Sequence, residues 1–172
     1  MRPLIASLAL ILPPIAAQAG EIPLSTPHTV DLSPVVSVAR CFASQATTRA
    51  FASVVTGFSA DGNYVLGQVS SHFTCGSSGR GGILYTVQLC TFLTWDLSGN
   101  LVSVNTPSNG HQSQACPAVS LVFPSTTPPT TTTVVGNEFT SAAGYTAETL
   151  IAEACGTIAC YASYNYPTLV TP

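Results

Sequence analysis

SVVTGFSADGNYVLGQVSSHFTCGSSGRGGILYTVQLCTFLTWDLSGNLVSV, residues Ser53–Val104, decides the fold class. Four runs rich in Val, Leu, Phe and Thr are separated by three glycine-bearing turns. Ala60-Asp61-Gly62-Asn63 and Leu97-Ser98-Gly99-Asn100 each sit between apolar runs, the strongest short-range signal for a β-hairpin. Gly76–Gly82 (GSSGRGG) reads as a longer, flexible turn. The stretch therefore predicts four antiparallel strands in a meander.

On its N-terminal side, Glu21–Pro34 carries prolines at 23, 27 and 34, which prevent a regular ladder. Residues 20–34 read as an extended arm that pairs at a sheet edge. Val35–Ala43 and Ala50–Phe58 are rich in Val, Phe and Ser and read as strands. On the C-terminal side, Asn105–Gln114 is a loop and Cys116–Phe123 a further strand. PSTTPPTTTT (124–133) has the composition of an O-glycosylated linker. Only about 40 residues follow it, too few for an independent domain without help. It is expected to be a break inside one β domain spanning 35–172, with a strand from Thr130 to Val135. Thr146–Ala154 (TAETLIAEA) has a Thr cap, Glu148 in the first turn and Gly156 just past the end, which predicts a short helix. Cys160–Tyr166 reads as a final strand ending at Pro167.

A third Gly-Asn pair occurs at 136, so these dipeptides lie at 62, 99 and 136, spaced by 37 residues. Three hairpin units of that size fit a β-trefoil. The fold expected from the sequence is an all-β, disulfide-stapled antiparallel sandwich or small barrel with one short helix at 146–154, and the trefoil is its alternative.

The chain opens MRPLIASLALILPPIAAQA, with one positive residue, an apolar run Leu4–Ile15 and an A-x-A site at Ala17–Ala19. That is the layout of a secretory signal peptide over 1–19, cleaved near Ala19. No later run is long enough in apolar residues to span a bilayer. The six cysteines (Cys41, Cys75, Cys90, Cys116, Cys155, Cys160) all follow this segment and, in an exported chain, read as disulfides. Cys155 with Cys160 is the favoured pair, since the four residues between them can make a turn. Cys75 with Cys90 is the less secure alternative, because a turn at 76–82 does not place them opposite each other. No C-x2-C spacing points to zinc.

Charge is scarce. The chain has no lysine, four arginines, seven acids and a net charge of −3. A phosphate-binding groove needs several cations, so nucleic acid is excluded as a partner. A surface made of Ser, Thr, Asn, Gln and Gly repels its neighbours weakly, which permits self-association.

Candidate chemistry is sparse as well. Asp61 and Asp96 suit turn hydrogen bonds, and Glu148 suits a helix start. His28, His72 and His111 have no metal-ligand spacing, and no G-x-S-x-G marks a nucleophile. No catalytic, metal or cofactor site is assigned. The aromatic residues Trp95, Tyr164, Tyr166 and Tyr85 are the candidates for stacking on a sugar ring or anchoring a contact. Tyr164 and Tyr166 share one strand face by period 2. The expected function is a secreted, non-catalytic binding module for a glycan or cell-surface ligand. The alternatives are a self-assembling coat protein and an exported hydrolase using a carboxylate pair.

Overall fold

The computed structural model describes residues 20–27, 30–31, 47–48, 53–76, 84–107, 115–123, 131–155 and 160–172. The signal peptide, the strand expected at 35–43, Cys41 and the prolines at 124–129 lie outside the described residues.

In chain order the strands are β1 (Glu21–Pro23), β2 (Val30–Asp31), β3 (Thr47–Thr48), β4 (Ser53–Phe58), β5 (Tyr64–Gly76), β6 (Leu84–Asp96), β7 (Leu101–Asn105), β8 (Thr131–Thr140), β9 (Thr146–Cys155) and β10 (Cys160–Val170). The meander is present as a four-stranded antiparallel sheet in the order β4-β5-β6-β7. A second antiparallel sheet runs β1-β10-β9-β8, and β2 pairs with β3. The two larger sheets share one core. Val55, Val65, Val69, Leu93 and Trp95 of the meander pack with Ala147 and Leu169 of the second sheet and with Leu24. This is a sandwich, in which each sheet buries one face against the other. The trefoil alternative is overturned, because the described residues form two stacked four-stranded sheets and not three equivalent hairpin units.

Three hairpins close with the same turn chemistry. Gly62 N–H donates to Ser59 O, Gly99 N–H to Asp96 O, and Gly144 N–H to Ser141 O, at 2.9, 3.0 and 3.0 Å. Each of these glycines has positive φ (72°, 83° and 87°), the left-handed region that glycine enters without penalty. The third turn uses Gly144, so Gly136-Asn137 is not the turn its composition resembles. Instead it forms a β-bulge within β8. A β-carbon on Gly136 would stand 2.5 Å from Cδ1 of Ile151, so the glycine there serves packing.

The helix expected at 146–154 is also overturned: β9 is a strand, and no helix occurs among the described residues. Its cap-like residues fit a helix end locally, but the segment lies between β8 and β10 and bonds to both. Ala147, Thr149 and Ile151 alternate inward and are fully buried. Burial at period 2 outweighs a weak local helix preference.

Two further boundaries differ from expectation. β10 continues through Pro167, whose carbonyl accepts from Leu24 N–H at 2.9 Å. A strand residue points its N–H and C=O to the same neighbour, so the missing proline N–H falls on the side where β1 ends and spares the β9 ladder. Cys116–Phe123 forms no strand. It is a strap tied down at three points: the Cys90–Cys116 disulfide, Gln68 Nε2–H to Pro117 O at 2.8 Å, and Val122 N–H to Gly136 O at 2.8 Å. Because Cys90 bonds to Cys116, it does not pair with Cys75.

The arm does pair at an edge, through Glu21–Pro23 on β10. There Gly20 N–H donates to Thr171 Oγ1 at 2.9 Å and Thr171 N–H to Gly20 O at 3.0 Å.

Candidate functional site

Of the four aromatic candidates, Trp95 is a correction. Its side chain is fully buried in the sandwich core and offers no surface to a ligand. Its indole N–H donates to the carbonyl of Ser25 at 2.5 Å, which satisfies the one polar atom of the ring. Position before a hairpin turn gave no clue to this, since β6 alternates and Trp95 falls on the inward set with Leu93 and Thr91.

Tyr166 is placed differently. It is 51 % exposed on the outer face of the second sheet. Tyr164 lies two residues away on the same strand and so on the same face by backbone register, while Tyr85 lies on β6 opposite Cys75. The side chains of Tyr164 and Tyr85 fall outside the described residues.

Cα partners in adjacent strands share a face, so register lays out this surface row by row. Val135, Leu150 and Tyr166 form one row across β8, β9 and β10. The next row is Glu138, Glu148, Thr168 and Pro23. Beyond it lie Thr140, Thr146, Val170 and Glu21. Where β1 ends, a cavity of about 390 Å³ opens beside Tyr166, lined also by Pro23, Leu24, Thr26, Asn165 and Thr168. An exposed aromatic ring therefore borders a mostly apolar depression whose lining also includes Thr26, Asn165 and Thr168.

The charged side chains described on this face are acidic. Glu138 and Glu148 are direct cross-strand partners. Burial, then the charges of Glu21 and Glu138, push the Glu148 carboxyl above its ordinary value. Sequence reading groups Glu138, Glu148 and Glu153 in the tail and puts Glu148 at a helix start, but does not connect Glu21 with them. Only the register of three strands brings residues 21, 138 and 148 together.

The other two acids of interest are occupied in turns. Asp61 Oδ1 accepts from Ser59 Oγ–H at 2.5 Å and Asn63 N–H at 3.2 Å, and its Oδ2 accepts from Asn63 Nδ2–H at 2.9 Å. Asp96 accepts from Ser98 N–H, Asn100 N–H and Asn100 Nδ2–H at 2.9, 2.9 and 3.1 Å. Hydrogen bonds from Ser59 and Asn63 hold the Asp61 carboxyl below its ordinary range, and those from Asn100 do the same for Asp96. Both carboxylates stabilise their own turns.

Glu138 and Glu148 sit side by side on an open face. Among the described residues no three His, Cys, Asp or Glu side chains gather as metal ligands. No helix among them is long and apolar enough to cross a membrane. The architecture defines the class: an antiparallel β-sandwich with a disulfide-pinned strap and one acidic, aromatic-bearing sheet face. Comparison of the chain with protein-family models, curated proteins and solved structures finds no match.

Proposed function

We propose that the protein is an exported, non-catalytic binding module that takes a glycan on the outer face of the β1-β10-β9-β8 sheet. The observation that carries this reading is the exposed Tyr166 ring beside a cavity of about 390 Å³ whose mostly apolar lining also includes Thr26, Asn165 and Thr168. A tyrosine ring offers a flat apolar surface to a pyranose, and the hydroxyl and amide groups offer hydrogen bonds to its rim. Export is supported by the leader-like residues 1–19 and by the Cys90–Cys116 disulfide, which persists in oxidising compartments. Retention of the oxidised chain on a panel of insoluble polysaccharides tests the reading. Tyr166→Ala is expected to abolish retention, and retention unchanged in that variant would place the site elsewhere.

A second reading, self-assembly, draws on the edge strand β7, where Val102 and Val104 are exposed. Exposed apolar edge strands without charges template pairing between chains. Sedimentation velocity over a range of concentrations decides it: a sedimentation coefficient that does not change removes this reading.

A further inference from the structure

We infer that the space beneath the 115–123 strap is a binding site for a small uncharged aromatic molecule that carries a hydrogen-bond donor. It lies on the outer face of the meander, away from the sheet that bears Tyr166, and does not depend on the glycan reading. Its floor is set by register. Val65, Val69 and Leu93 belong to the core, so Gln68 and Phe92, which alternate with them, lie on the outer face as direct cross-strand partners. The outer face of such a sheet is commonly open to water. Gln68, however, is only 5 % exposed, because the strap covers it. Cys116 is bonded to Cys90 of β6, Pro117 O accepts from Gln68 Nε2–H at 2.8 Å, and Val122 N–H donates to Gly136 O of β8 at 2.8 Å. Between those ties, residues 118–121 make no hydrogen bond with a described residue. Beneath this span lies a cavity of about 370 Å³, walled at the side by Thr56 next to the β4 bulge and by Phe139 of β8.

A strap that served only to brace the sheet would settle onto it, because protein interiors close-pack. Here a disulfide and two hydrogen bonds hold the backbone over a space that its own side chains do not fill. A cavity of this size falls in the range of small-molecule sites, which combine an apolar lining with a few placed polar groups. The lining indicates the chemistry of the guest. Phe92, Phe139, Pro117 and Val119 offer rings and methyl groups, which suit the face or edge of an aromatic ring. None of the lining side chains carries a charge, so a charged guest would give up its hydration without gaining a partner. A sugar would strand most of its hydroxyls there for the same reason. Gln68 supplies the polar group whose direction is fixed. Its Nε2–H is taken by Pro117 O, which orients the amide and leaves Oε1 as an acceptor to which no described residue donates. A guest N–H or O–H satisfies that oxygen.

The test is a chemical-shift titration of the oxidised chain with indole and with benzothiophene, which has nearly the same shape but no N–H. Indole is expected to move the backbone amide signals of residues 118–120 and the side-chain amide of Gln68. It should bind about three- to tenfold more tightly than benzothiophene, the worth of one neutral hydrogen bond. Gln68→Leu should remove that preference. Val119→Trp, which puts a ring of the chain's own into the space, should abolish binding of both molecules. Shifts confined to other parts of the protein, or no shifts at millimolar indole, would overturn the site. Equal affinity for the two molecules would overturn the donor and with it the inferred ligand class. These decisions are read from the wild type, so they stand however either variant folds.

Discussion

Gly67 and Trp95 fit each other because Gly67 has no β-carbon. One built there would overlap Cζ3 of the indole, stand 2.5 Å from its Cη2 and lie 2.7 Å from the Val54 carbonyl oxygen. Neither neighbour can retreat, since the ring fills the core and the oxygen belongs to a paired strand. Gly67→Ala is therefore expected to cost about 2–3 kcal/mol in urea unfolding, the range for overpacking a tight core. Gly62→Ala, where no atom lies within 4 Å but φ is 72°, should cost only about 1 kcal/mol from backbone strain. Equal losses in the two variants would show that the indole contact does not decide the matter.

The two sheets are joined by hydrogen bonds as well as by apolar packing. Thr149 Oγ1 of β9 accepts from Val55 N–H, and Asn137 Nδ2–H of β8 donates to Val55 O, each at 2.9 Å. Thr149→Val keeps the shape and strands a buried donor, so a loss of about 1–3 kcal/mol is expected. Thr149→Ser retains the oxygen and should lose less. A valine variant as stable as the serine variant would remove this bond from the account.

Glu148 and the two turn aspartates act on stability with opposite sign. Glu148 is raised above 4.5, so the folded state holds its proton more tightly than the unfolded chain. Its stabilising effect is present below that value and is lost as pH rises through the raised folded pKa. Asp61 and Asp96 are lowered from 3.8, so theirs is present above 3.8 and is lost as pH falls through the depressed folded values. Glu148→Gln should accordingly stabilise the protein at about pH 7 by roughly 0.5–1 kcal/mol and do nothing at about pH 3. The same gain at both pH values would mean that charge is not the cause.

Removing the Cys90–Cys116 bridge, which closes a loop of 26 residues, should cost about 3 kcal/mol. Hydrogen exchange in the Cys90→Ser, Cys116→Ser double variant should rise first along residues 115–123, the strap it pins. Non-reducing peptide mapping of the wild type should recover Cys90–Cys116. It should also recover Cys155–Cys160, which are Cα partners in the β9–β10 register, leaving Cys41 with Cys75. Any other partner for Cys155 would contradict that register.

How far the fold was readable depended on whether a residue's job was local. Asp61-Gly62-Asn63 and Ser98-Gly99-Asn100 announce turns because the side chains that make the turn are in the turn. Gly136-Asn137 has the same letters, yet its glycine answers to Ile151 and its asparagine to Val55, both distant in sequence. TAETLIAEA satisfies helix-end rules and strand alternation together, and only its two flanking strands choose between them. The site followed the same division. The face of Tyr166 follows from period 2 along one strand, and the structure leaves its side chain exposed, but its acidic neighbours depend on the register of three strands, which no single stretch encodes. Trp95 was missed because its partners, Gly67 and Ser25, lie 28 and 70 residues away.

Gly20 and Thr171 clasp each other at one corner of the sandwich, so the chain leaves the fold beside the place where it enters. The β1 edge is held in place by its neighbours and not by its order in the chain. A circular permutant that links residue 172 to residue 20 and opens the exposed Ala60–Asp61 turn should therefore fold to the same sandwich. In that permutant both new ends would project from the hairpin-turn end of the molecule and leave the Tyr166 face clear, which makes the domain suitable for oriented display on a fusion partner.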